Sequence, residues 1–268
     1  MKSFGWSVGD LADAEWRRSQ GFASGDAASR AARTLRRMHP TPQRSFDAVL
    51  FDWCGTLVEY PLREDRFRPV LHRLGLPHDD DAVADLVAAI RAAEQHPAAI
   101  EADKRCDLSA DDHRATKLLI CELAGIDDEL AFELERTYGD LATYSTYPEV
   151  VDVISALAAD GVKIAIVSDF HVDLRPHLDS LGLLDLIAGI ALSCEVGFSK
   201  PHPRMFQAAL DMVAVAPERC LMVGDNATPD AGASALGITT LILPLQRSPR
   251  PPLLKSVLSL VGTGAAQT

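Results

Sequence analysis

Apolar residues fall into two patterns along this chain, and each pattern predicts a different kind of secondary structure. Short, mostly apolar runs precede Asp52, Ser168 and Asp225, and each run ends in a polar or glycine residue. Such runs are typical of strands that are buried on both faces of a parallel sheet. After Tyr147 these strand patterns alternate with helical ones as far as Leu243, which is the signature of βαβ units. The sequence therefore predicts an α/β fold with a Rossmann-like parallel sheet.

About 90 residues between the first two predicted strands show no strand pattern. Apolar residues there recur at helical spacing, and Ser109 and Asp127 are residue types that begin helices. The four predicted helices are Arg66–Leu74, Asp81–Glu94, Ala110–Ala124 and Asp128–Leu141. We therefore expect a core made of residues 46–58 and 148–268, with an inserted all-helical domain at residues 59–147.

The first 45 residues differ from the rest of the chain in charge. They hold eight Lys/Arg and four Asp/Glu, a balance of +4, whereas the whole chain carries −12 and the remainder therefore −16. The Ala- and Arg-rich stretch Ala27–Met38 has good helix propensity. This basic N-terminal extension, residues 1–45, could pack on the acidic core, mediate dimerisation or remain a solvated tail, and the sequence leaves these three roles open.

Candidate chemistry lies at the predicted strand ends, where open α/β sheets bind their ligands. Asp52 offers a carboxylate that can attack an electrophile and form a covalent intermediate. Ser168 offers a hydroxyl donor and Lys200 a positive charge, both suited to stabilising a transferring phosphoryl group. Asp225, together with Asp52, offers the hard oxygen ligands that Mg²⁺ prefers.

Four ordered motifs at these positions resemble those of the haloacid dehalogenase (HAD) superfamily. The first is Asp-Trp-Cys-Gly-Thr at residues 52–56, and the second is a strand that ends in Ser168-Asp169. The third is Lys-Pro-His-Pro-Arg-Met-Phe at residues 200–206, and the fourth is Gly-Asp-Asn-Ala-Thr-Pro-Asp at residues 224–230. An all-helical insert between the first two motifs resembles the C1-type cap of this family. Such a cap closes over the site and contacts the leaving group of the substrate.

The resemblance assigns roles to individual residues. It implies Asp52 as nucleophile, Ser168 and Lys200 as phosphoryl-binding residues, and Mg²⁺ as cofactor. The metal ligands it implies are the carboxylates of Asp52 and Asp225 and the backbone carbonyl of Cys54. Thr56, Asp169, Asn226 and Asp230 are expected to support the site, Asp230 by bonding to Lys200 or to a metal-bound water. The cap residues expected to be candidates for substrate contact are Arg66, Arg68, His72, Arg91, Lys104 and His113.

Cys54 departs from the pattern of the family's phosphatases, which have a second Asp at this position as general acid/base. A thiol has an ordinary pKa of about 8.5, against about 3.9 for Asp, and is a weak hydrogen-bond donor. Next to an anionic Asp52 it should stay protonated, so it replaces a proton-shuttling carboxylate poorly. Phosphonoacetaldehyde hydrolases and haloacid dehalogenases of the family also lack the second Asp. The former need a Schiff-base lysine in the cap, where this chain has only Lys104 and Lys117, and the latter work without a metal.

Composition limits the remaining choices. No apolar run reaches the ~18 residues that a membrane span needs, and the first residues show no signal-peptide pattern, so we expect no targeting segment. Five scattered cysteines suit a reducing cytoplasm, and the net charge of −12 argues against nucleic acid as a partner.

We therefore expect a cytoplasmic, Mg²⁺-dependent hydrolase that acts on a small phosphorylated metabolite. The alternatives are an enzyme of the same fold that breaks a carbon–phosphorus or carbon–halogen bond, and a non-catalytic ligand-binding protein.

Overall fold

A computed structural model describes residues 44–262 of the chain, so the predicted N-terminal extension, apart from its last two residues, lies outside the described part. These residues form a single five-stranded parallel sheet with the strand order β3-β2-β1-β4-β5. The strands are β1 (Ala48–Phe51), β2 (Lys163–Ser168), β3 (Gly189–Leu192), β4 (Cys220–Gly224) and β5 (Thr239–Ile242). This sheet confirms the predicted α/β fold.

The register of the sheet places β1 at its centre. Phe51 lies opposite Ile166 of β2 on one side and opposite Val223 of β4 on the other. All four residues of β1 are buried, because helices cover both faces of the sheet. This explains why the strands appear in the sequence as apolar runs rather than as alternating patterns.

Helices form one apolar layer on each face of the sheet. On one face, Val49 and Phe51 pack in a core with residues of α6 (Val150–Ala159), α7 (Arg175–Ser180) and α11 (Lys255–Val261). On the other face, Ala48 and Leu50 pack against α9 (Pro203–Val213). Two four-residue helices turn the chain at the edge where the strands end: α8 (Ser193–Val196) follows β3 directly, and α10 (Ala227–Asp230) begins three residues after the end of β4.

The segment from Arg63 to Arg136, between β1 and α6, is mostly helical, and its helices surround an apolar cluster of their own that includes Phe67, Val87 and Leu134. Asp79, Ser109 and Asp127 cap the starts of three of the helices, each with its side chain accepting a backbone N–H. The helices are α1 (Arg63–Arg73), α2 (Asp80–Ala93), α3 (Pro97–Asp103), α4 (Ala110–Leu123) and α5 (Asp128–Arg136). Treating residues 59–147 as a separate domain stays a prediction.

Two details of this helical segment differ from the sequence-based prediction. Helix α3 was not predicted, because its seven residues bury only Ala99 and so carry no apolar stripe. The predicted helix Asp128–Leu141 ends instead at Arg136, and the chain continues in two 3₁₀ turns, Thr137–Gly139 and Leu141–Thr143. Within residues 44–262, no helix has both the length and the apolar character needed to cross a membrane.

Candidate active site

Asp52 follows β1 directly and lies at the centre of a cluster of polar side chains. Its backbone N–H donates to the carbonyl oxygen of Val223 (2.8 Å), which fixes the residue against β4. Its Oδ2 accepts a hydrogen bond from the Thr56 hydroxyl (3.0 Å), and its Oδ1 accepts one from the Lys200 ammonium (2.6 Å). Each carboxylate oxygen has two lone pairs, so each keeps one that is free for attack.

Lys200 connects three carboxylates around this site. Its Nζ donates to Asp52 Oδ1 and also to Asp230 Oδ1 (2.7 Å), while its backbone N–H donates to Asp169 Oδ1 (2.9 Å). Burial lowers the pKa of Lys200, but the charges of the neighbouring carboxylates Asp52, Asp230 and Asp169 together raise it by a larger amount. The net shift is therefore upward, and the side chain is an ammonium at neutral pH. Burial raises the pKa of Asp52, and the charge of Lys200 offsets part of this effect.

Two glycines allow the backbone to approach the acidic side chains closely. Gly55 has a φ of +83°, and a Cβ added there would collide with the carboxylate of Asp225. A Cβ at Gly224 would collide in the same way with the carboxylate of Asp230. The glycines of the first and fourth motifs are therefore needed because acidic side chains of the fourth motif occupy the space that a Cβ would fill.

Ser168, Asn226 and Asp230 occupy the neighbouring strand ends. Ser168 is buried at the end of β2, the strand beside β1. Asn226 begins α10, and its Oδ1 accepts the N–H of Thr228 (3.1 Å) while its own backbone N–H donates to Asp230 Oδ2 (3.1 Å). Asn226 therefore shapes the loop that holds Asp230, and Asp230 in turn contacts Lys200.

The acidic residues of the site fit a divalent cation. Carboxylate oxygens of Asp52, Asp225 and Asp230 lie within 4.8 Å of one another, and carboxylate oxygens are the ligands that Mg²⁺ prefers. Burial, reinforced by the other acids, raises the pKa of Asp225 to about 6, and burial likewise raises that of Asp169 to about 6. Asp52, Asp225, Asp230 and Asp169 face the single ammonium of Lys200, so the cluster has an excess of negative charge that a cation would balance. The roles of Asp52, Asp225 and the Cys54 carbonyl as metal ligands remain predictions.

Replacing Asp225 tests this arrangement. We expect Asp225→Ala to weaken Mg²⁺ binding strongly, because it removes a hard oxygen ligand from a site that has few. Isothermal titration calorimetry with MgCl₂ measures the effect, and Asp211→Ala is the control, because Asp211 is an exposed acid on α9. Unchanged Mg²⁺ affinity in Asp225→Ala would rule out this ligand and favour a metal-free dehalogenase reaction.

The stabilisation of the fold by Mg²⁺ should depend on pH. Because the pKa of Asp225 is raised from 3.8 to about 6 in the folded protein, the metal-free fold retains a proton that the unfolded chain loses. Metal-free stability from this group therefore falls as pH rises from about 4 to about 6. Mg²⁺ competes with that proton, so the increase in Tm on adding Mg²⁺ should be small at pH 5 and large at pH 7.5.

The difference in Tm with and without Mg²⁺ is the appropriate measurement, because other groups also titrate in this range. Burial lowers the pKa of His113 to about 2, so this residue destabilises the fold as pH falls below about 6.5. Its effect on stability thus changes with pH in the opposite direction to that of Asp225. The same titration with Asp225→Asn should show a smaller dependence on pH. An Mg²⁺-induced shift of equal size at pH 5 and pH 7.5 in the unmodified protein would contradict the prediction.

A cavity of about 540 Å³ lies beside this cluster. Cys54 and Asp169 form part of its wall at the sheet edge, and the helical segment supplies much of the rest. Burial, followed by the charge of Asp52, raises the pKa of the Cys54 thiol well above its ordinary value. A thiol with such a pKa stays protonated and gives up its proton reluctantly, so Cys54 is poorly suited to acid/base catalysis.

Only half of the cap residues expected to contact substrate line this cavity. Arg66, Arg91 and His113 do so. Arg68 instead pairs with Asp80, His72 packs against His78, and Lys104 pairs with Glu101, all outside the cavity wall. The difference arises because helical spacing predicts which face is apolar but does not predict which polar residues face the core.

Several cavity residues were not predicted from the sequence as substrate contacts. They are Tyr60, Arg63, Asp107, Lys117, Tyr138, Tyr144 and His171. One signal could have identified Lys117, because it lies four positions after His113 on α4 and so shares its helix face. His171 lies just beyond the second motif, where its ring stacks on that of His113 with a centroid distance of 3.4 Å.

Comparison with known proteins agrees with this geometry. Residues 46–236 match the family model for haloacid dehalogenase-like hydrolases. A phosphoserine phosphatase from Thermus thermophilus is 37% identical over 120 residues, which is 44% of this chain and 48% of that protein. A phosphoglycolate phosphatase from Rhodospirillum rubrum is 33% identical over 104 residues, which is 38% of this chain and 43% of that protein. The chain thus matches about half the length of these curated relatives.

Solved structures show the same fold at lower sequence identity. The magnesium-bound HAD-hydrolase YfnB from Bacillus subtilis has a TM-score of 0.59 and 20% identity, with coverage of 81% of this chain and 99% of that one. A 2-haloacid dehalogenase from Pseudomonas syringae has a TM-score of 0.54 and 20% identity, with coverage of 81% and 98%. The family match spans more than half of the chain and includes all four motifs. The chain therefore belongs to the haloacid dehalogenase-like hydrolase family.

Proposed function

We propose that this protein is an Mg²⁺-dependent phosphatase that acts on a small phosphorylated metabolite through an aspartyl-phosphate intermediate. The observation that supports this most directly is the contact between Asp52 and Lys200, a buried carboxylate and ammonium 2.6 Å apart beside the cavity. Lys200 and Thr56 orient the carboxylate, and the same ammonium is placed to neutralise oxygens of a phosphoryl group that approaches Asp52.

The chain's own residues supply the nucleophile and the groups that stabilise the phosphoryl oxygens. Asp52 attacks phosphorus, the bond between phosphorus and the leaving oxygen breaks, and the leaving group departs as an alkoxide or alcohol. Lys200 and the Ser168 hydroxyl stabilise the charge on the phosphoryl oxygens. Water then attacks the acyl phosphate, releases inorganic phosphate and restores Asp52. Mg²⁺, held by Asp52, Asp225 and the Cys54 carbonyl, would supply further neutralisation of the phosphoryl oxygens.

Relatives support a small phosphorylated substrate. Matched proteins include phosphatases named for phosphoserine, phosphoglycolate and glyceraldehyde 3-phosphate. An (S)-2-haloacid dehalogenase from a Pseudomonas strain also matches, with 34% identity over 98 residues, so carbon–halogen cleavage is the second candidate. The carboxylate cluster around Asp225 favours the metal-dependent reaction over the metal-free one.

Lys117 argues against a Schiff-base mechanism of the phosphonoacetaldehyde hydrolase type. It is the cap lysine that lines the cavity, whereas Lys104 forms an ion pair at the surface. Burial lowers the pKa of Lys117, but the neighbouring Cys106, Tyr138 and acidic groups raise it by more. A lysine that stays protonated at neutral pH cannot attack a carbonyl carbon.

A substrate panel with and without Mg²⁺ tests the proposal. Aryl and alkyl phosphates, a phosphonate and a 2-haloacid would be incubated with the protein, and release of phosphate or halide would be measured. We expect Mg²⁺-dependent release of phosphate from phosphate esters. Release of halide without metal would support the dehalogenase alternative, and ligand binding without turnover of any compound would support a non-catalytic role.

A further inference from the structure

Four cations of the helical segment line the cavity: Arg63, Arg66, Arg91 and Lys117. Two of them share one aromatic neighbour. Arg66 comes from α1 and Lys117 from α4, and both lie against the ring of Tyr138. The Arg66 Cζ is 4.6 Å from the ring centroid, and the Lys117 Nζ is 5.3 Å from it. Two helices thus bring positive charges to one aromatic ring in the wall of a cavity that extends to Cys54.

Neither cation has an acidic partner among residues 44–262. Arg66 is buried, and its one side-chain hydrogen bond to a described residue is a long one, 3.4 Å, to the Tyr144 hydroxyl. Its Nε is buried and has no hydrogen-bond partner among these residues. The neighbouring Arg63 behaves differently, because it forms two hydrogen bonds with the carboxylate of Glu94. Arg66 is buried and Lys117 is half-buried, and the acids near Lys117 act on it without forming an ion pair. Buried cations are ordinarily paired, so the lack of an ion pair at Arg66, beside a second cation, indicates that an anion binds there.

The other polar groups of this wall suit an anion with a single negative charge. His113 and His171 are stacked, and the Nδ1 of each is buried without a hydrogen-bond partner in the described part of the chain. Burial keeps His113 neutral by lowering its pKa to about 2. Asp107 lies 3.6 Å from His171. The charged side chains that line the whole cavity are five cations and four acids, namely Arg63, Arg66, Arg91, Lys117 and Arg247 against Glu64, Glu94, Asp107 and Asp169. The balance is one positive charge, which a carboxylate matches better than a doubly charged phosphate does.

A cation fits the same wall less well. Cys106, Asp107 and His113 place possible ligand atoms within 4.8 Å of one another. However, Lys117 acts on the Cys106 thiol through a hydrogen bond and through its charge, and Arg66 and Lys117 both act electrostatically on His113. A metal ion at this position would be repelled by both side chains.

We propose that Arg66 and Lys117 bind a carboxylate on the leaving group, so that the substrate is a phosphorylated carboxylic acid rather than the phosphate ester of a neutral alcohol. This inference rests on the proposed phosphatase function. The phosphoryl group would bind at Asp52 and Lys200, and the carboxylate would bind across the cavity at Arg66 and Lys117. Charge-assisted hydrogen bonds of this kind change binding by about 10- to 100-fold.

Matched pairs of esters test the proposal. The pairs are 2-phosphoglycolate with ethyl phosphate, 3-phosphoglycerate with glycerol 3-phosphate, and 4-carboxyphenyl phosphate with phenyl phosphate, so that three spacings are sampled. We expect kcat/KM to favour the acid in at least one pair by about 10- to 100-fold. Arg66→Gln and Lys117→Gln should each reduce this ratio by about 10-fold or more. Arg68→Gln and Lys104→Gln make the same changes outside the cavity and should leave the ratio as it is.

Three outcomes would overturn the assignment. The first is a ratio near one in every pair, and the second is a ratio that survives both cavity substitutions in proteins whose circular dichroism shows that they are folded. The third is a clear preference for propane-1,3-diol bisphosphate over all the carboxylates, which would assign a second phosphate to this wall. If Arg66→Gln does not fold, the more peripheral Lys117→Gln still decides the question.

A binding measurement separates this inference from the phosphatase proposal. If no ester is hydrolysed, the proposed function fails, but calorimetry with 3-phosphonopropionate and propylphosphonate still reports on the carboxylate site without turnover. Tighter binding of 3-phosphonopropionate, with the difference lost in Lys117→Gln, would support the site. Equal affinity for the two compounds would reject it.

Discussion

Asp52→Asn should abolish turnover while leaving the protein folded. An amide keeps the shape of the side chain but cannot attack phosphorus, and loss of a covalent nucleophile typically costs about 10⁴-fold or more in kcat. The fold should tolerate the change because Lys200 retains Asp230 as a partner at 2.7 Å. The substitution also removes a carboxylate whose burial is itself unfavourable, as the raised pKa of Asp52 indicates.

Asp47→Asn is a matched control for this experiment. Asp47 lies just before β1, at the opposite end of the strand from Asp52, where it pairs with Arg219 at 2.9 Å. The same chemical change there should leave kcat within about twofold, since it breaks only a partly exposed ion pair. If a folded Asp52→Asn protein turns over substrate at the rate of the unmodified protein, the assignment of Asp52 as the nucleophile is wrong.

Cys54→Asp should accelerate the hydrolysis of alkyl phosphates by about 10²- to 10⁴-fold, the range expected for a well-placed general acid. The thiol lies in the cavity wall beside Asp52, and its raised pKa makes it a poor proton donor. Esters with poor leaving groups, such as sugar phosphates, should gain most. Aryl phosphates should gain least, because a phenolate leaves without needing a proton. The aspartyl-phosphate should also persist longer in the unmodified protein than in Cys54→Asp, because the water that hydrolyses it lacks a base in the unmodified protein.

Cys54→Asn is the control, because it matches the shape of Asp without the ability to donate a proton. Both variants should be assayed at saturating Mg²⁺, since a further carboxylate beside Asp52, Asp225 and Asp230 increases the need for a cation. The measurement is kcat for one aryl and one alkyl phosphate. If Cys54→Asp folds, binds Mg²⁺ and still gains nothing on the alkyl ester, the site is built for other chemistry or for none.

The sheet and its strand ends could be predicted from the sequence because the physical signal there is local. Apolar runs buried on both faces end directly at Asp52, Ser168 and Asp225, and parallel strands bring their carboxyl ends to one edge. The contact of Lys200 with Asp52 needed more information. The two residues are 148 positions apart, and their proximity was inferred only from the resemblance to a family.

The cavity wall could not be predicted in the same way. Periodicity located most of α1, α2, α4 and α5, yet it could not distinguish Arg66, which is buried in the cavity wall, from Arg68, which pairs with Asp80 at the surface. That distinction depends on how the helical segment packs against the sheet. The same limit applied to Lys117 and His171, since the first lies on α4 and the second follows β2, and only the tertiary structure brings both to one cavity.

The central place of β1 in the sheet has a consequence for how the protein folds during synthesis. Both neighbours of β1 come much later in the chain, because β2 begins at Lys163 and β4 at Cys220. Folds dominated by such distant pairings form slowly, since a long loop must close before any contact is gained. A nascent chain that has not reached Gly224 presents one edge of an apolar strand without its partner, and such an edge is prone to pair with other chains. The helical segment is built from local contacts and can form first. During synthesis it can therefore be folded before β2 and β4 pair with β1 and fix Asp52 in place.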